Sequence, residues 1–400
     1  MPEGFTISNG GGTVKTETVF VNDVRCDVDL GIFIPGECVT ESDGSPNSND
    51  IRVVTTCFVN GDISVSPGEL SGVLVSLDYD YVGDNGNTYL ADKDEMGSIW
   101  AVAYNQREDN VYAAAMLKRH TGMGPEGPGA IYQHNLSNSN NSLFVDLESL
   151  GINVGSEPQL RDLREPGQPS YDIEAFGLVG KMSLGDMDID EANQILYVMN
   201  LFDKRVYGID INTQQIVSTH DTPDPGCNAG EWRPWAIKHY QGRLYIGGVC
   251  DGSDGGMVDD LIGYIYKLNE GSFTEVLSIP LNYRKGRAVA GADIETWSVW
   301  VNEFSEFMPN ERGTIIHHQP ILADIEFDDT GSMIIGFGDR SGFQLGFENF
   351  DASGTNTRLF RNIAAGDILR ANLESDGSFV LESNGSVSYT HLTLPTTPYV

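Results

Sequence analysis

Residues 184–211 read LGDMDIDEANQILYVMNLFDKRVYGIDI: three short apolar runs separated by two polar turns, with a tyrosine in the second and third runs. Such a unit predicts consecutive antiparallel strands joined by tight turns. Alternation within the runs is weak, because Ile195 and Tyr197 on one face oppose Leu196 and Val198 on the other. Strands apolar on both faces are expected where sheets stack face to face around an axis, as in a β-propeller. The unit recurs at SIWAVAYNQREDNVYAAAML (98–117) followed by GAIYQHNL, at WRPWAIKHYQGRLYIGGVC (232–250) followed by IGYIYKL, and at ILADIEFDDTGSMIIGFGD (321–339) followed by GDILRANL. With Val102, Met187, Ile237 and Ile325 as equivalent positions, the units lie 85, 50 and 88 residues apart. A propeller blade occupies roughly 40 to 50 residues, so each longer gap has room for a degenerate blade. The expected fold is all-β, a propeller of about 6–7 four-stranded blades across residues 97–386.

Working outward, residues 1–96 carry Thr- and Val-rich runs such as TVKTETVFVNDV, IRVVTTCFV and GVLVSLDYDYV between Gly, Asn, Asp and Ser clusters, and predict a small N-terminal β region. Residues 387–400 contain no acidic residue and no glycine. This segment resembles translated adapter sequence at the end of a gene model, which sets it apart as a non-native tail and implies that the natural chain continues. Over the 400 residues, 24 Lys and Arg face 58 Asp and Glu, a formal charge of −34 that disfavours binding to nucleic acid or to anionic membranes. No apolar run reaches the roughly 18 residues of a membrane helix, so no membrane insertion is expected. Cys26, Cys38, Cys57, Cys227 and Cys250 are too widely spaced for C-x-x-C chemistry. Cys227 and Cys250 bracket one repeat unit and are either a disulfide or two buried thiols.

Two resemblances follow from particular residues. Leu196-Tyr197-Val198-x-Asn200 and Val206-x-x-Ile209-Asp210-x-x-Thr213 are similar to the repeat of YVTN-type β-propellers. More broadly, residues 87–385 resemble the propeller region of large secreted bacterial surface proteins that also carry Sdr-type B-repeat domains. The residues that carry this are Gly86-Asn87-Thr88-Tyr89, Ala113-Ala114-Ala115-x-x-Lys118-Arg119-His120-Thr121-Gly122, Ser183 to Asp188, Trp232-Arg233-Pro234 and Asp324-Ile325-Glu326-Phe327. This resemblance implies a bacterial extracellular or cell-surface location and supplies no catalytic residues.

Asp186, Asp188 and Asp190 alternate along one predicted strand and so share a face. Asp324 with Glu326, and Asp293 with Glu295, repeat the spacing. Carboxylates converging on a propeller axis repel unless they bind a cation or share protons, which makes calcium a candidate cofactor at Asp186, Asp188, Asp324 and Glu326. The alternative is that these residues cap turns or bond backbone amides. Residues 78–87, DYDYVGDNGN, are a second oxygen-rich stretch, without EF-hand spacing. Lys118-Arg119-His120 is a basic patch expected to emerge at a blade edge, where it would bind an anionic group or pair with carboxylates. Trp232 and Arg233 are candidates for a sugar-stacking surface or for core packing between blades. Gly122-x-Gly124-x-x-Gly127 has dinucleotide-fingerprint spacing, but Pro125 and Pro128 interrupt it and no helix follows, so an interstrand loop is expected. His317-His318 lacks a metal-binding context and reads as a loop pair.

No nucleophile elbow or Walker loop is present. These features together point to a non-catalytic extracellular module whose propeller face takes a protein or glycan ligand. The alternative they leave open is a calcium-dependent hydrolase, lactonase or lyase using channel carboxylates.

Overall fold

The computed structural model describes residues 52–64, 72–78, 87–285, 296–328 and 330–381, together with three short strands at Thr6–Ile7, Val19–Val21 and Ile32–Phe33. The fold is an all-β propeller of five four-stranded blades. From inner to outer strand, the second blade is Ile99–Asn105, Asn110–Ala115, Ala130–Asn135 and Asn140–Asp146. The third is Leu184–Asp190, Ile195–Asn200, Arg205–Asp210 and Gln215–Asp221. The fourth is Trp232–Tyr240, Arg243–Cys250, Ile262–Asn269 and Ser272–Pro280, and the fifth is Pro320–Phe327, Met333–Asp339, Asp367–Leu373 and Phe379–Leu381.

The four expected repeats are therefore real, and the blade count differs. The gap between Val102 and Met187 holds the other three strands of its own blade and then residues 151–183, which form turns and bends without a strand. Between Ile237 and Ile325 lies a comparable connection whose described part contains one short strand, Thr314–Ile315, paired in parallel with Arg361–Asn362. Spacing alone cannot distinguish a missing blade from a long connection. At the N-terminal side, Val19–Val21, Arg52–Thr56, Gly72–Asp78 and Asn87–Asp92 make the remaining four-stranded sheet, so this β-rich stretch is a blade of the same architecture. Most of the DYDYVGDNGN stretch, along with Cys26, Cys38, Asp293, Glu295 and residues 387–400, lies outside the described residues.

Each inner strand of the second to fifth blades carries a bulge near its start, where register shifts between Ile99 and Val102, Leu184 and Met187, Pro234 and Ala236, and Leu322 and Asp324. A bulge re-aims the side chains beyond it. The apolar faces of the blades then interlock, with Leu196, Val198 and Ile209 of the third packed with Ala101, Tyr112 and Ile131 of the second.

Two hairpins of the fourth blade turn in two residues, Gln241-Gly242 (φ 48° and 70°) and Glu270-Gly271 (φ 48° and 87°), the double positive-φ geometry that matches strand twist. A Cβ on Gly271 would meet open space, so substitution there tests backbone conformation alone. Gly271→Val is expected to cost about 1–2 kcal/mol, seen as a lower denaturant midpoint, and Gly271→Asn to recover most of it.

Candidate functional site

Two groups of polar residues occupy the inside of the ring, one among the inner strands and one at the end where the chain enters them. Along the third, fourth and fifth inner strands the expected convergence of carboxylates is found. Asp186 accepts hydrogen bonds from its neighbour Met187 N (2.8 Å) and from Ile237 N of the next blade (2.9 Å). Asp188 accepts from His239 N at 2.7 Å. Lys238 extends its ammonium to Glu326 Oε1 at 2.9 Å, with Asp188 Oδ2 at 3.6 Å. His239 Nε2 lies 3.4 Å from Asp190 Oδ2.

Burial raises the Asp186 carboxyl well above its usual range, and the nearby Asp324 charge adds to this, against the two amide hydrogen bonds. Glu326 is pushed up to about 8, chiefly by burial, with Lys238 opposing and Asp324 and Asp188 reinforcing. Repulsion among these carboxylates is thus relieved by backbone amides, an internal ammonium and protonation. Calcium takes about six to eight oxygen ligands. Here both Asp186 oxygens and one oxygen each of Asp188 and Glu326 are turned to amides and to Lys238, which leaves this set of four carboxylates fewer oxygens than calcium requires. Among the described residues no group of three or more His, Cys, Asp or Glu side chains is placed to hold a metal ion.

Lys118, Arg119 and His120 do not emerge at a blade edge. All three are buried, at 2%, 0% and 0% exposure. Lys118 Nζ donates to Ile99 O at 2.5 Å. The Arg119 guanidinium lies over Phe176 and donates to the carbonyls of Tyr171 (2.5 Å), Gln344 (2.9 Å) and Phe350 (3.0 Å). Burial lowers it to about 9, against Asp172 and Asp351, and it stays charged at neutral pH. His120 bonds Ser170 Oγ through Nδ1 at 2.7 Å, and burial followed by the Arg119 and Arg161 charges holds it well below its usual range, so the ring is neutral. Asp172 accepts from Arg161 and from His120 N.

Arg340, which no sequence pattern marks, plays the same part as Arg119. It stacks on Trp300 at 4.4 Å and donates to Val179 O (2.8 Å), Val301 O (2.7 Å) and Gln319 Oε1 (2.8 Å). Gln344 adds bonds to Phe176 O and Val301 O. These residues fasten the connections 151–183, 296–319 and 340–366, which among them hold only the short strands Thr314–Ile315 and Arg361–Asn362, to one another across the end of the ring. Trp232 and Arg233 belong to the same interior, with Arg233 bonded to Asp251 Oδ2 at 2.7 Å and lying over Trp300. His317 and His318 lie on a connecting loop as expected, and His318 is fully buried there and bonds Ile363 O. The expected bracket does close as a Cys227–Cys250 disulfide, and Cys57 is a free thiol.

The carboxylates and the basic segment therefore occupy separate electrostatic neighbourhoods. Asp186 is acted on by Asp324 and Asp188, whereas Arg119 is acted on by Asp172, Asp351 and Arg161. An open cleft of about 440 Å³ lies elsewhere, between the third blade and the 222–231 connection, with Asp203, Arg205, Asp224 and Glu231 on its walls. No helix among the described residues is long and apolar enough to cross a membrane.

The geometry defines a β-propeller whose buried charges Arg119, Arg233, Arg340 and Lys238 have partners inside the fold. In sequence the chain is similar to two Dictyostelium discoideum proteins: colossin-B, 28% identical over 414 residues, and colossin-C, 29% identical over 402 residues. Each alignment takes in 96% of this chain but only 9% of colossin-B and 36% of colossin-C, so the chain spans a minor part of these relatives. The bacterial source implied by the surface-protein resemblance finds no support in these relatives. No family model matches. Among solved structures, a chain of a nidogen/laminin complex aligns over 82% of this chain and 91% of its own with a TM-score of 0.36 and 8% identity, too distant to carry an argument.

Replacing Arg340 by Met removes a charge and strands buried carbonyls together, and a loss of about 3 kcal/mol or more is expected in chemical denaturation. Glu326 gives a pH signature. Its folded value lies above the unfolded one, so its stabilising effect is complete below about 4.5 and is lost as pH rises through about 8. Glu326→Gln should flatten the fall in melting temperature across that window relative to the parent chain.

Proposed function

We propose that the chain is a non-catalytic extracellular propeller module of a longer secreted or surface protein, and that its loops bind a protein or glycan partner. The observation that carries this reading is the internal engagement of the buried charges. The cationic and carboxylate side chains best suited to chemistry are buried and engaged with internal partners, and the connections held by Arg119 and Arg340 lie across one end of the ring. The Cys227–Cys250 disulfide favours maturation in an oxidising compartment. Relatives far longer than this chain favour a modular role.

The connecting segments expose Leu160, Met308 and Phe347, apolar groups on loops of the kind that binding surfaces use. The secreted chain, probed on protein and glycan arrays, is expected to bind saturably. Serine at these three positions together should weaken that binding by about tenfold or more at unchanged melting temperature. Turnover of an ester, lactone or glycoside that Glu326→Gln abolishes would overturn the reading in favour of an enzyme.

A further inference from the structure

The outer hairpin of the second blade carries two acceptor triplets for N-linked glycosylation, Asn135-Leu136-Ser137 and Asn140-Asn141-Ser142. Asn135 ends the strand Ala130–Asn135, Asn140 begins the strand Asn140–Asp146, and the two are direct cross-strand partners on one face of the sheet. Their side chains differ in what they are free to do. The Asn135 amide nitrogen donates to Asn110 Oδ1 at 2.8 Å and Glu108 O at 3.0 Å, and its oxygen accepts from Asn138 N at 3.1 Å. A sugar on that nitrogen would break the bonds that hold the hairpin to the neighbouring turn. Asn140 is exposed, and its side-chain amide makes no hydrogen bond to any described residue.

We propose that Asn140 carries an N-linked glycan in the mature protein and that Asn135 does not. The amide nitrogen of Asn140 attacks the anomeric carbon of an oligosaccharide held on a lipid diphosphate. A carbon–nitrogen bond forms, the carbon–oxygen bond to the diphosphate breaks, the lipid diphosphate leaves, and one amide proton passes to a base. The modification rests on the extracellular reading, since the transfer takes place in the secretory lumen. It has a physical use at this position. Asn140–Asp146 is the outermost strand of its blade, with one unpaired backbone edge and Leu143 exposed along it, and a bulky hydrophilic group at its start hinders edge-to-edge association.

The test is secretion of the whole chain, behind a signal sequence, from a eukaryotic cell, followed by enzymatic deglycosylation and peptide mapping of the asparagine-to-aspartate conversion it leaves. Mapping treats each triplet separately, including Asn384-Gly385-Ser386, which lies outside the described residues. Conversion is expected at Asn140 and not at Asn135. Asn140→Gln and, independently, Ser142→Ala should each remove that glycan, while Asn135→Gln should leave it. A secreted chain with the Cys227–Cys250 disulfide formed and Asn140 unmodified, or with the glycan on Asn135, overturns the proposal and leaves the extracellular reading standing. A chain retained in the cell with both cysteines reduced overturns the two together.

Discussion

Long connections with almost no strand leave most backbone carbonyls with no ladder to join, and a connection laid across the end of a propeller cannot give all of them to water. Arg119 and Arg340 resolve this. A guanidinium offers five donors in a fixed plane, so one buried side chain can serve carbonyls from several segments that share no secondary structure. Arg119 joins residues 171, 344 and 350, and Arg340 joins 179 and 301, so that segments far apart in sequence become one layer. Lysine could not substitute, since its three donors radiate from a point. The aromatic rings beneath, Phe176 and Trp300, supply attraction to the cations without adding polar groups that would need partners of their own.

The axial carboxylates face the same problem with the opposite sign. Bringing four acidic residues into one low-dielectric space is prohibitive if all remain charged and unpaired. Here the inner strands run side by side, so that the backbone N–H groups of Ile237 and His239 point at Asp186 and Asp188. The ladder bulges near the start of each inner strand set which residues turn inward beyond them. Lys238 supplies the positive charge between Asp188 and Glu326. Asp186, Asp188 and Glu326 thus act as links between blades.

How far the sequence discloses this follows from the range of each interaction. The hairpins around Ile195–Asn200 and Arg205–Asp210 are legible because their turns are local: Asp190 Oδ1 accepts from Asn193 N, and Asp210 Oδ1 from Thr213 N, three residues on in both cases. The sharing of a face by Asp186 and Asp188 is legible from strand periodicity, and their meeting with Asp324 and Glu326 from the equivalence of the repeats. The role of Lys118-Arg119-His120 is not, because a basic run looks the same whether it faces solvent or anchors carbonyls more than 200 residues away, as Arg119 does with Gln344 and Phe350. Arg340 and Asp172 are single charges with no local pattern at all. Blade number fails for a related reason: a connection of 151–183 length mimics a degenerate repeat unless one knows that its carbonyls are met by side chains.

The distribution of charge then bears on what kind of contact this propeller can make. With 58 acidic residues against 24 basic ones, and buried lysines and arginines such as Lys118, Arg119, Arg340 and Lys285 matched by buried aspartates such as Asp172, Asp186, Asp251 and Asp339, the surface keeps the acidic character of the composition. A field of that sign repels nucleic acid and anionic lipid and raises the encounter rate of cationic partners. Lasting attachment still requires desolvated contact, because exposed ion pairs contribute little. The desolvated apolar groups such contact needs are found among the exposed residues of the connecting segments, Leu160, Met308 and Phe347.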